Sequence, residues 1–235
     1  MNHLVIGLGE IGTAVTNTLV NAKYKVSTAD INPDFIFKNI DVVHICFPYS
    51  KEFVKEVKKY VGIYNPKLII IYSTVQVGTT QQILHAVHCP IEGRHPSLDY
   101  GVKNFKKFIG YNDVEDRDLA IKVWEDISEY VALPDTKWTE FLKLASTSKY
   151  GINIVWADYM ADVAEQLGMS YGHVKEWDKA YNRLYRRMHQ SNLQKYVLDS
   201  PDGYIGGHCI VPNADLLNQS FPDEMLDMIV EMGET

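Results

Sequence analysis

The chain has 235 residues, of which 46% are hydrophobic and 23% are charged. This is enough apolar material for a buried core, and it excludes a globally disordered chain. The formal net charge is −7 and the pI is near 5.6, which argues against a surface for nucleic acid or anionic lipid.

Neither a secretory leader nor a membrane span is expected. The chain passes from its first residues directly into a strand-like run, without the basic and apolar regions of a signal peptide. Its longest apolar runs, such as LIIIY at 68–72, are far shorter than the ~20 residues of a membrane-spanning helix. Three widely separated cysteines argue against a disulfide framework or a zinc site and fit a reducing compartment. We therefore expect a cytoplasmic protein.

The first half of the chain alternates strand-like and helix-like segments. Strands are predicted at 3–8, 25–30, 41–48, 67–73, the start of 89–97 and 106–111. Helices are predicted at 11–22, 51–62, 79–87 and 116–130. This alternation favours right-handed βαβ units around a parallel sheet.

The pattern changes after Lys137. Residues 138–168 are almost continuously compatible with a helix, and 173–197 are also predicted to be helical. No strand is expected in this part. The sequence therefore predicts an α/β domain at 1–136 followed by an all-helical domain at 137–235.

A glycine-rich motif follows the first predicted strand. Gly7, Gly9 and Gly12 form the pattern G-x-G-x-x-G at the start of a predicted helix, and Asp30 ends the next strand. This is the context of the dinucleotide-binding fingerprint, in which the glycines give a tight turn, close approach to a pyrophosphate and helix packing, in that order. A carboxylate at Asp30 would bind both ribose hydroxyls and repel a 2′-phosphate, which favours NAD over NADP. The alternative is that the glycines serve packing alone.

Three later stretches resemble the UDP-glucose/GDP-mannose dehydrogenase family. The stretch STVQVGTT at 73–80 resembles that family's STVPVGTT, and EFLKLASTSKYG at 140–151, running on to AEQLG at 164–168, resembles its central helix. The stretch GGHC at 206–209 resembles its catalytic cysteine motif, in the form found in bacterial dehydrogenases of aminosugar nucleotides. Family members continue into a second Rossmann-like domain that holds the nucleotide sugar, whereas this chain stops at Thr235.

The resemblance implies a fold and a chemistry. The fold is an N-terminal Rossmann-type domain followed by a helical domain like that of 6-phosphogluconate dehydrogenase, with a long central helix. That helix, at 138–168 here, builds a homodimer in the family. A cysteine forms a thiohemiacetal and then a thioester, so that a primary alcohol is oxidised to an acid, and a lysine stabilises the oxyanion.

The family's roles can be carried over by position. Cys209 matches the nucleophile and Lys143 matches the oxyanion lysine. The resemblance puts Ser73 and Thr74 at the strand end beside the nicotinamide. The expected cofactor contacts also include Glu10, Ile11 and Pro48, and the expected substrate contacts are Gly206, Gly207, His208 and Asn213. Cys46 and Cys89 lie in strand-like runs and are expected in the core.

Three positions depart from the family's pattern. Thr147 stands where the helix of the family has asparagine one turn after the lysine. Ser97 stands in place of a glutamate, and Asn213 in place of an aspartate. Because thioester hydrolysis needs a base to activate water, the sequence leaves open whether the substrate is oxidised once or twice.

Other interpretations remain open at this point. The lysine of the site is Lys143 or, in a register that also occurs in β-hydroxyacid dehydrogenases, Lys149 with Asn153. His95 resembles the H-P turn of prephenate dehydrogenases and is a candidate acid or base. A third possibility is an NAD-binding module without turnover, such as a redox sensor, because the carboxylates at 97 and 213 are missing.

Overall fold

The computed structural model describes residues 1–30, 36–93, 97–201, 203–206 and 209–233. It divides into two compact units, Met1–Lys143 and Leu144–Thr235. A 31-residue helix at Thr136–Gln166 contributes residues to both units. The domain boundary near 136 therefore stays a prediction.

Within the described residues, the first unit contains a seven-stranded sheet. The strands are β1 (Asn2–Ile6), β2 (Lys25–Ala29), β3 (Val42–Ile45), β4 (Leu68–Ile71), β5 (Ala86–His88), β6 (Lys107–Tyr111) and β7 (Tyr130–Pro134). Their order is β2-β1-β3-β4-β5-β6-β7. The sheet is mostly parallel, as predicted, but β6 runs antiparallel to β5, with His88 opposite Gly110.

In the part of the chain that the structure describes, five α-helices surround or follow this sheet, and three more belong to the second unit. The first set is α1 (Glu10–Asn21), α2 (Phe53–Tyr64), α3 (Leu98–Asn104), α4 (Val114–Trp124) and α5 (Thr136–Gln166). The second set is α6 (Tyr171–Arg187), α7 (Ile210–Ser220) and α8 (Glu224–Glu231). None of the helices in the described ranges combines the length and apolarity that crossing a membrane requires.

Both faces of the sheet are buried. Along β1, Val5 belongs to one apolar cluster, whereas Leu4 and Ile6 belong to a second cluster. The first cluster includes residues of α1, α3 and α4, and the second includes residues of α2. Alternate residues of a strand point to opposite faces, so the doubly covered strands β1, β3 and β4 need the nearly continuous apolar runs that made them recognisable in the sequence. The edge strand β2 is only partly buried.

Three predicted helices were wrong in part. In 79–87 the structure has a short 3₁₀ turn at Thr80–Gln82 followed by β5. In 116–130 the helix α4 ends at Trp124, and β7 begins at Tyr130. In 173–197 the helix α6 ends at Arg187, and a short 3₁₀ turn at Ser191–Leu193 follows it. The strand predicted at the start of 89–97 lies earlier, as β5. The helix α3 was not predicted. These segments are short, and their conformation depends on neighbours that are distant in sequence.

The second unit is helical, and its described residues contain no strand. Gly151 of α5 allows close packing, because a Cβ atom there would lie 2.9 Å from Ile210 of α7 and 3.0 Å from Ile229 of α8. The backbone N–H of Ile205 donates to the carbonyl of Met232 over 2.8 Å. This contact joins the segment that precedes α7 to the end of α8.

Candidate functional site

The turn between β1 and α1 is tightly packed at two of its glycines. Gly7 has φ +92, and a Cβ atom there would lie 2.8 Å from the backbone nitrogen of Phe47. A Cβ atom on Gly12 would lie 1.8 Å from the carbonyl oxygen of Gly7. Both positions therefore require glycine for reasons internal to the fold: a left-handed turn at Gly7 and close helix–sheet contact at Gly12.

Gly9 is different. Its backbone is extended (φ −66, ψ −168), which any residue adopts, and it precedes the first residue of α1 without a side-chain cap. A Cβ atom at Gly9 would meet no atom within 4 Å. Packing therefore does not account for glycine at this position. An open backbone surface at a helix N-terminus, where N–H groups lack intrahelical partners, fits a pyrophosphate.

The other residues expected at the cofactor follow the carboxyl ends of neighbouring strands. Ile6 of β1 pairs with Ala29 of β2 and with Ile45 of β3. Asp30 directly follows β2 and is exposed, and Pro48, just beyond β3, is also exposed. In open α/β sheets, ligands bind outside this edge. Glu10 and Ile11 form the start of α1, with Glu10 exposed and Ile11 half-buried.

Ser73 lies just beyond β4 and is buried. Its hydroxyl donates to the carbonyl of Phe47 over 2.6 Å, and its own carbonyl oxygen lies 3.2 Å from Nε2 of His88. The side chain therefore ties the ends of β3 and β4 together, and its proton is already engaged. Thr74, the next residue, is half-buried.

His88 links the end of β5 to the start of α5. Its Nδ1 lies 2.9 Å from the hydroxyl of Thr139. Burial, assisted by the charge of Lys143, lowers the pKa of His88 to about 4, although the hydrogen bond to Ser73 opposes this. The ring is therefore neutral at pH 7. Since the carbonyl of Ser73 only accepts, Nε2 carries the proton, and Nδ1 accepts from Thr139.

Glu140, one residue further along α5, is fully buried. Its Oε2 accepts a hydrogen bond from the backbone N–H of Gly78 over 2.6 Å, and its Oε1 accepts one from the N–H of Thr80 over 2.8 Å. Burial raises the pKa of Glu140, and the hydrogen bonds from Thr80 and Gly78 oppose this rise. The carboxylate thus joins α5 to the loop that follows β4.

Lys143 is half-buried, and its Nζ donates to the carbonyl of Ile91 over 2.8 Å. The structure therefore orients this ammonium group toward the segment after β5. Ser97, which stands in place of the family's glutamate, precedes α3 and is exposed. In the second unit, Thr147 lies one helical turn beyond Lys143 on α5 and is half-buried.

Cys209 has an exposed side chain and occupies the position that caps the N-terminus of α7. Its carbonyl accepts from the backbone N–H of Asn213 over 3.1 Å, and Asn213 is buried. Gly206 is exposed. Gly207, His208 and His95, which the sequence also assigns to the site, lie outside the described residues.

Asp158 of α5 holds the segment that leads to this motif. Its Oδ1 accepts from the hydroxyl of Ser200 over 2.6 Å and from the backbone N–H of Gly203 over 3.1 Å. Gly203 has φ +82, a left-handed conformation that favours glycine. The alternative lysine, Lys149, is exposed, and the amide of Asn153 donates to its carbonyl over 2.7 Å.

The other two cysteines are buried, as the sequence predicted. Burial raises the pKa of the Cys89 thiol to about 12, and burial also raises that of Cys46. Both thiols therefore stay protonated at neutral pH. Within the described residues, no three His, Cys, Asp or Glu side chains come together as a metal site would require.

Sequence reasoning assigned no role to Glu140, His88 or Asp158. One signal was available for Glu140, because an acidic residue stands in a mostly apolar and aromatic stretch, W-T-E-F-L, one turn before Lys143. A charge in such a stretch is unexpected unless it has a partner. Neither His88 nor Asp158 has a comparable local signal.

Comparison with known proteins gives two kinds of match, and no family model matches the chain. The chain is 27% identical over 172 residues to the UDP-N-acetyl-D-mannosamine dehydrogenase of Methanocaldococcus jannaschii, covering 69% of this chain and 37% of that relative. Among solved structures, the UDP-D-ManNAc dehydrogenase of Pyrococcus horikoshii has a TM-score of 0.83 at 17% identity, with 100% of this chain and 68% of that chain covered. The 3-hydroxyisobutyrate dehydrogenase of Mycobacterium tuberculosis has a TM-score of 0.70 at 16% identity, with 98% and 91% covered.

These matches confirm the predicted fold class, a Rossmann-type α/β unit followed by helices. They also confirm the resemblance to the nucleotide-sugar dehydrogenases, since a curated relative carries that description. The chain spans 37% of the length of that relative.

Proposed function

We propose that this chain binds NAD and acts as a dehydrogenase on an alcohol or aldehyde carbon of a sugar nucleotide. The observation that carries the proposal is the contrast among the three glycines of the β1–α1 turn. Packing accounts for Gly7 and Gly12, whereas Gly9 faces open space. This is the division of roles that the dinucleotide fingerprint requires.

The residues that would hold NAD lie along one edge of the sheet. Gly9, Glu10 and Ile11 would receive the pyrophosphate at the start of α1. Asp30 would accept hydrogen bonds from the ribose hydroxyls and disfavour a 2′-phosphate. Pro48, Ser73 and Thr74 would line the nicotinamide end. NAD, when bound, accepts the hydride that leaves the carbon being oxidised.

The covalent chemistry would belong to Cys209 and Lys143. As a thiolate, Cys209 adds to the carbon of an aldehyde, so that a C–S bond forms and the carbonyl π electrons move to oxygen. Lys143 stabilises this oxyanion with its ammonium group. Once that carbon is oxidised to a thioester, water would add to it and the C–S bond would break. The acid product would keep the oxygen of the water, and Cys209 would leave as a thiolate that takes up a proton.

The substrate proposal rests on the relatives and on the residues around the cysteine. The curated relative is described as a UDP-N-acetyl-D-mannosamine dehydrogenase, so we take UDP-N-acetyl-D-mannosamine as the first substrate to test. Gly206, Gly207, His208 and Asn213 would contact it. Thr147 and His95 would assist catalysis, with His95 supplying the acid or base that Ser97 and Asn213 cannot supply. The working protein would be a cytoplasmic homodimer joined through 138–168.

The experiment combines cofactor binding with turnover. NADH affinity is measured by titration, and the formation of NADH and of the acid product is followed with NAD and UDP-N-acetyl-D-mannosamine for the wild type, Cys209→Ala and His95→Gln. The proposal expects NADH binding by all three proteins and loss of acid production in Cys209→Ala. NADH binding without formation of NADH or acid by the wild type would instead support a cofactor-binding module. Activity that survives in Cys209→Ala but is lost in His95→Gln would support a prephenate-dehydrogenase-like enzyme.

A further inference from the structure

A buried carboxylate holds the loop that follows β4. Glu140 has no exposed surface, and each of its two oxygens accepts one backbone N–H, from Gly78 and from Thr80. Removing a carboxylate from water costs several kcal/mol unless hydrogen bonds compensate. An apolar residue would fill this space without that cost. We therefore look for the role of Glu140 in the loop conformation that its two hydrogen bonds hold.

The loop itself has a demanding conformation. Gly78 has φ +92, in the left-handed region, and the Thr79 hydroxyl donates to the carbonyl of Gln76 over 2.6 Å. The amides of Gly78 and Thr80 consequently converge on one point, which the Glu140 carboxylate occupies. The two-oxygen contact defines both the position and the orientation of this loop relative to the start of α5.

The loop is also anchored at its other end. His88 donates to the carbonyl of Ser73 and accepts from Thr139, the residue before Glu140. Adjacent residues of α5 therefore fix the first and the last residues of the stretch 73–80.

The sheet order identifies what this loop would face. Gly9 and Asp30 follow β1 and β2, whereas the loop follows β4, and the order is β2-β1-β3-β4. Three strand spacings, about 14 Å, separate the β2 end from the β4 end. A dinucleotide whose adenosine half lies at β2 and β1 would extend its nicotinamide half toward β4.

We propose that Glu140 is a positioning residue, which holds the 73–80 loop in the conformation that binds the nicotinamide half of NAD. This inference rests on the proposed cofactor. It assigns to Glu140 no contact with the cofactor and no chemical step. Its effect on binding passes through Gly78 and Thr80 to Ser73 and Thr74.

Two probes separate the halves of the cofactor. ADP-ribose contains the adenosine, the pyrophosphate and the second ribose but lacks nicotinamide, whereas NADH contains both halves. In Glu140→Gln, the side-chain amide places an NH₂ group against one of the two backbone donors. We expect the Kd of NADH to rise about fivefold or more, and the Kd of ADP-ribose to stay within about twofold.

Two further variants complete the design. Glu165→Gln makes the same change on an exposed residue near the end of α5 and should leave both affinities unchanged. Gly78→Ala disturbs the loop from its own side, because its φ of +92 disfavours a side chain. It should reproduce the selective loss of NADH affinity, and it tests the inference even if Glu140→Gln fails to fold.

The outcomes are distinct. A loss restricted to NADH in Glu140→Gln and Gly78→Ala supports the inference. Unchanged NADH affinity, or an equal loss for both probes in a folded variant, overturns it and leaves the proposed function intact. If the wild type binds neither NADH nor ADP-ribose, the proposed function is wrong, and the role of Glu140 in cofactor binding is wrong with it.

Discussion

The carbonyl oxygen of Gly7 occupies the space that a side chain on Gly12 would need, since a Cβ atom there would approach it to 1.8 Å. Backbone cannot yield to this contact without moving β1 relative to α1. We therefore expect Gly12→Ala to lower the free energy of unfolding by about 3 kcal/mol or more. Urea unfolding followed by circular dichroism measures this directly.

Gly9→Ala is the matched comparison for that variant. The new methyl group would meet no atom within 4 Å, so the free energy of unfolding should stay within about 1 kcal/mol of the wild type. NADH affinity should nevertheless fall about tenfold or more, because the methyl group occupies the side from which a pyrophosphate would approach. Equal NADH affinity in Gly9→Ala and the wild type would contradict the cofactor assignment.

The sequence predicted those parts of the fold that depend on local pattern. The strands β1, β3 and β4 are nearly continuous apolar runs because both faces of the sheet are covered there. The edge strand β2 is only partly buried and contains polar residues, and the glycine motif has a fixed spacing. The strand β5 has only three residues and follows a stretch with helix-like spacing. The antiparallel orientation of β6 next to β5 depends on pairing between strands, and no local sequence pattern specifies it.

The candidate site likewise combines residues that a local motif predicts with residues that contacts distant in sequence bring together. Gly9 and Asp30 belong to a motif that is recognisable in the sequence. The contact between Glu140 and Gly78 joins residues 62 positions apart, and the contact between His88 and Thr139 joins residues 51 apart. Each depends on how α5 meets the strand ends, which hydrophobic periodicity does not specify.

Buried histidines should make the first unit sensitive to acid. His3 and His44 share a hydrogen bond of 2.9 Å, and His44 continues to the hydroxyl of Tyr72 over 2.9 Å. Burial lowers the pKa of His3 to about 4, and burial, together with the neighbouring His3, lowers that of His44. An unfolded histidine has a pKa near 6.5.

The sign of the pH effect follows from these pKa values. Between pH 6.5 and about 4, the unfolded chain binds protons that His3, His44 and His88 do not bind in the folded state. The contribution of these histidines to the free energy of unfolding is therefore fully present above pH 6.5. Below that pH the free energy of unfolding falls as the pH falls, by on the order of 1 kcal/mol per pH unit for each such histidine.

Urea unfolding at pH 7.5, 6.5 and 5.5 measures this slope. His88→Gln should make the slope shallower by one histidine's contribution, whatever its effect at pH 7.5. His173→Gln, at an exposed position of α6, should leave it unchanged. A flat stability profile in the wild type would contradict the neutral buried state of these rings.

Asp30 should determine the choice between the two nicotinamide cofactors. Its exposed carboxylate directly follows β2, where it would bind ribose hydroxyls and repel a 2′-phosphate. We expect the wild type to bind NADH about tenfold or more tightly than NADPH, and Asp30→Ser to narrow this ratio to about threefold or less. Asp126→Asn, at an exposed position after α4, provides the control. Equal affinities of the wild type for NADH and NADPH would contradict the role of Asp30 in the proposed site.

The reactivity of the cysteines tests the proposed nucleophile and its lysine together. Cys209 has an exposed side chain at the N-terminus of α7, whereas Cys46 and Cys89 are buried, and burial raises the pKa of both buried thiols. Mass spectrometry after brief iodoacetamide treatment at pH 7.5 should therefore find Cys209 alkylated about tenfold or more faster than the other two.

If Lys143 stabilises negative charge at Cys209, Lys143→Met should slow that alkylation about threefold or more, while Lys149→Met should not. Equal alkylation rates of Cys209 in the two lysine variants would show that Lys143 does not act on this cysteine. A larger effect of Lys149→Met would favour the register of the β-hydroxyacid dehydrogenases.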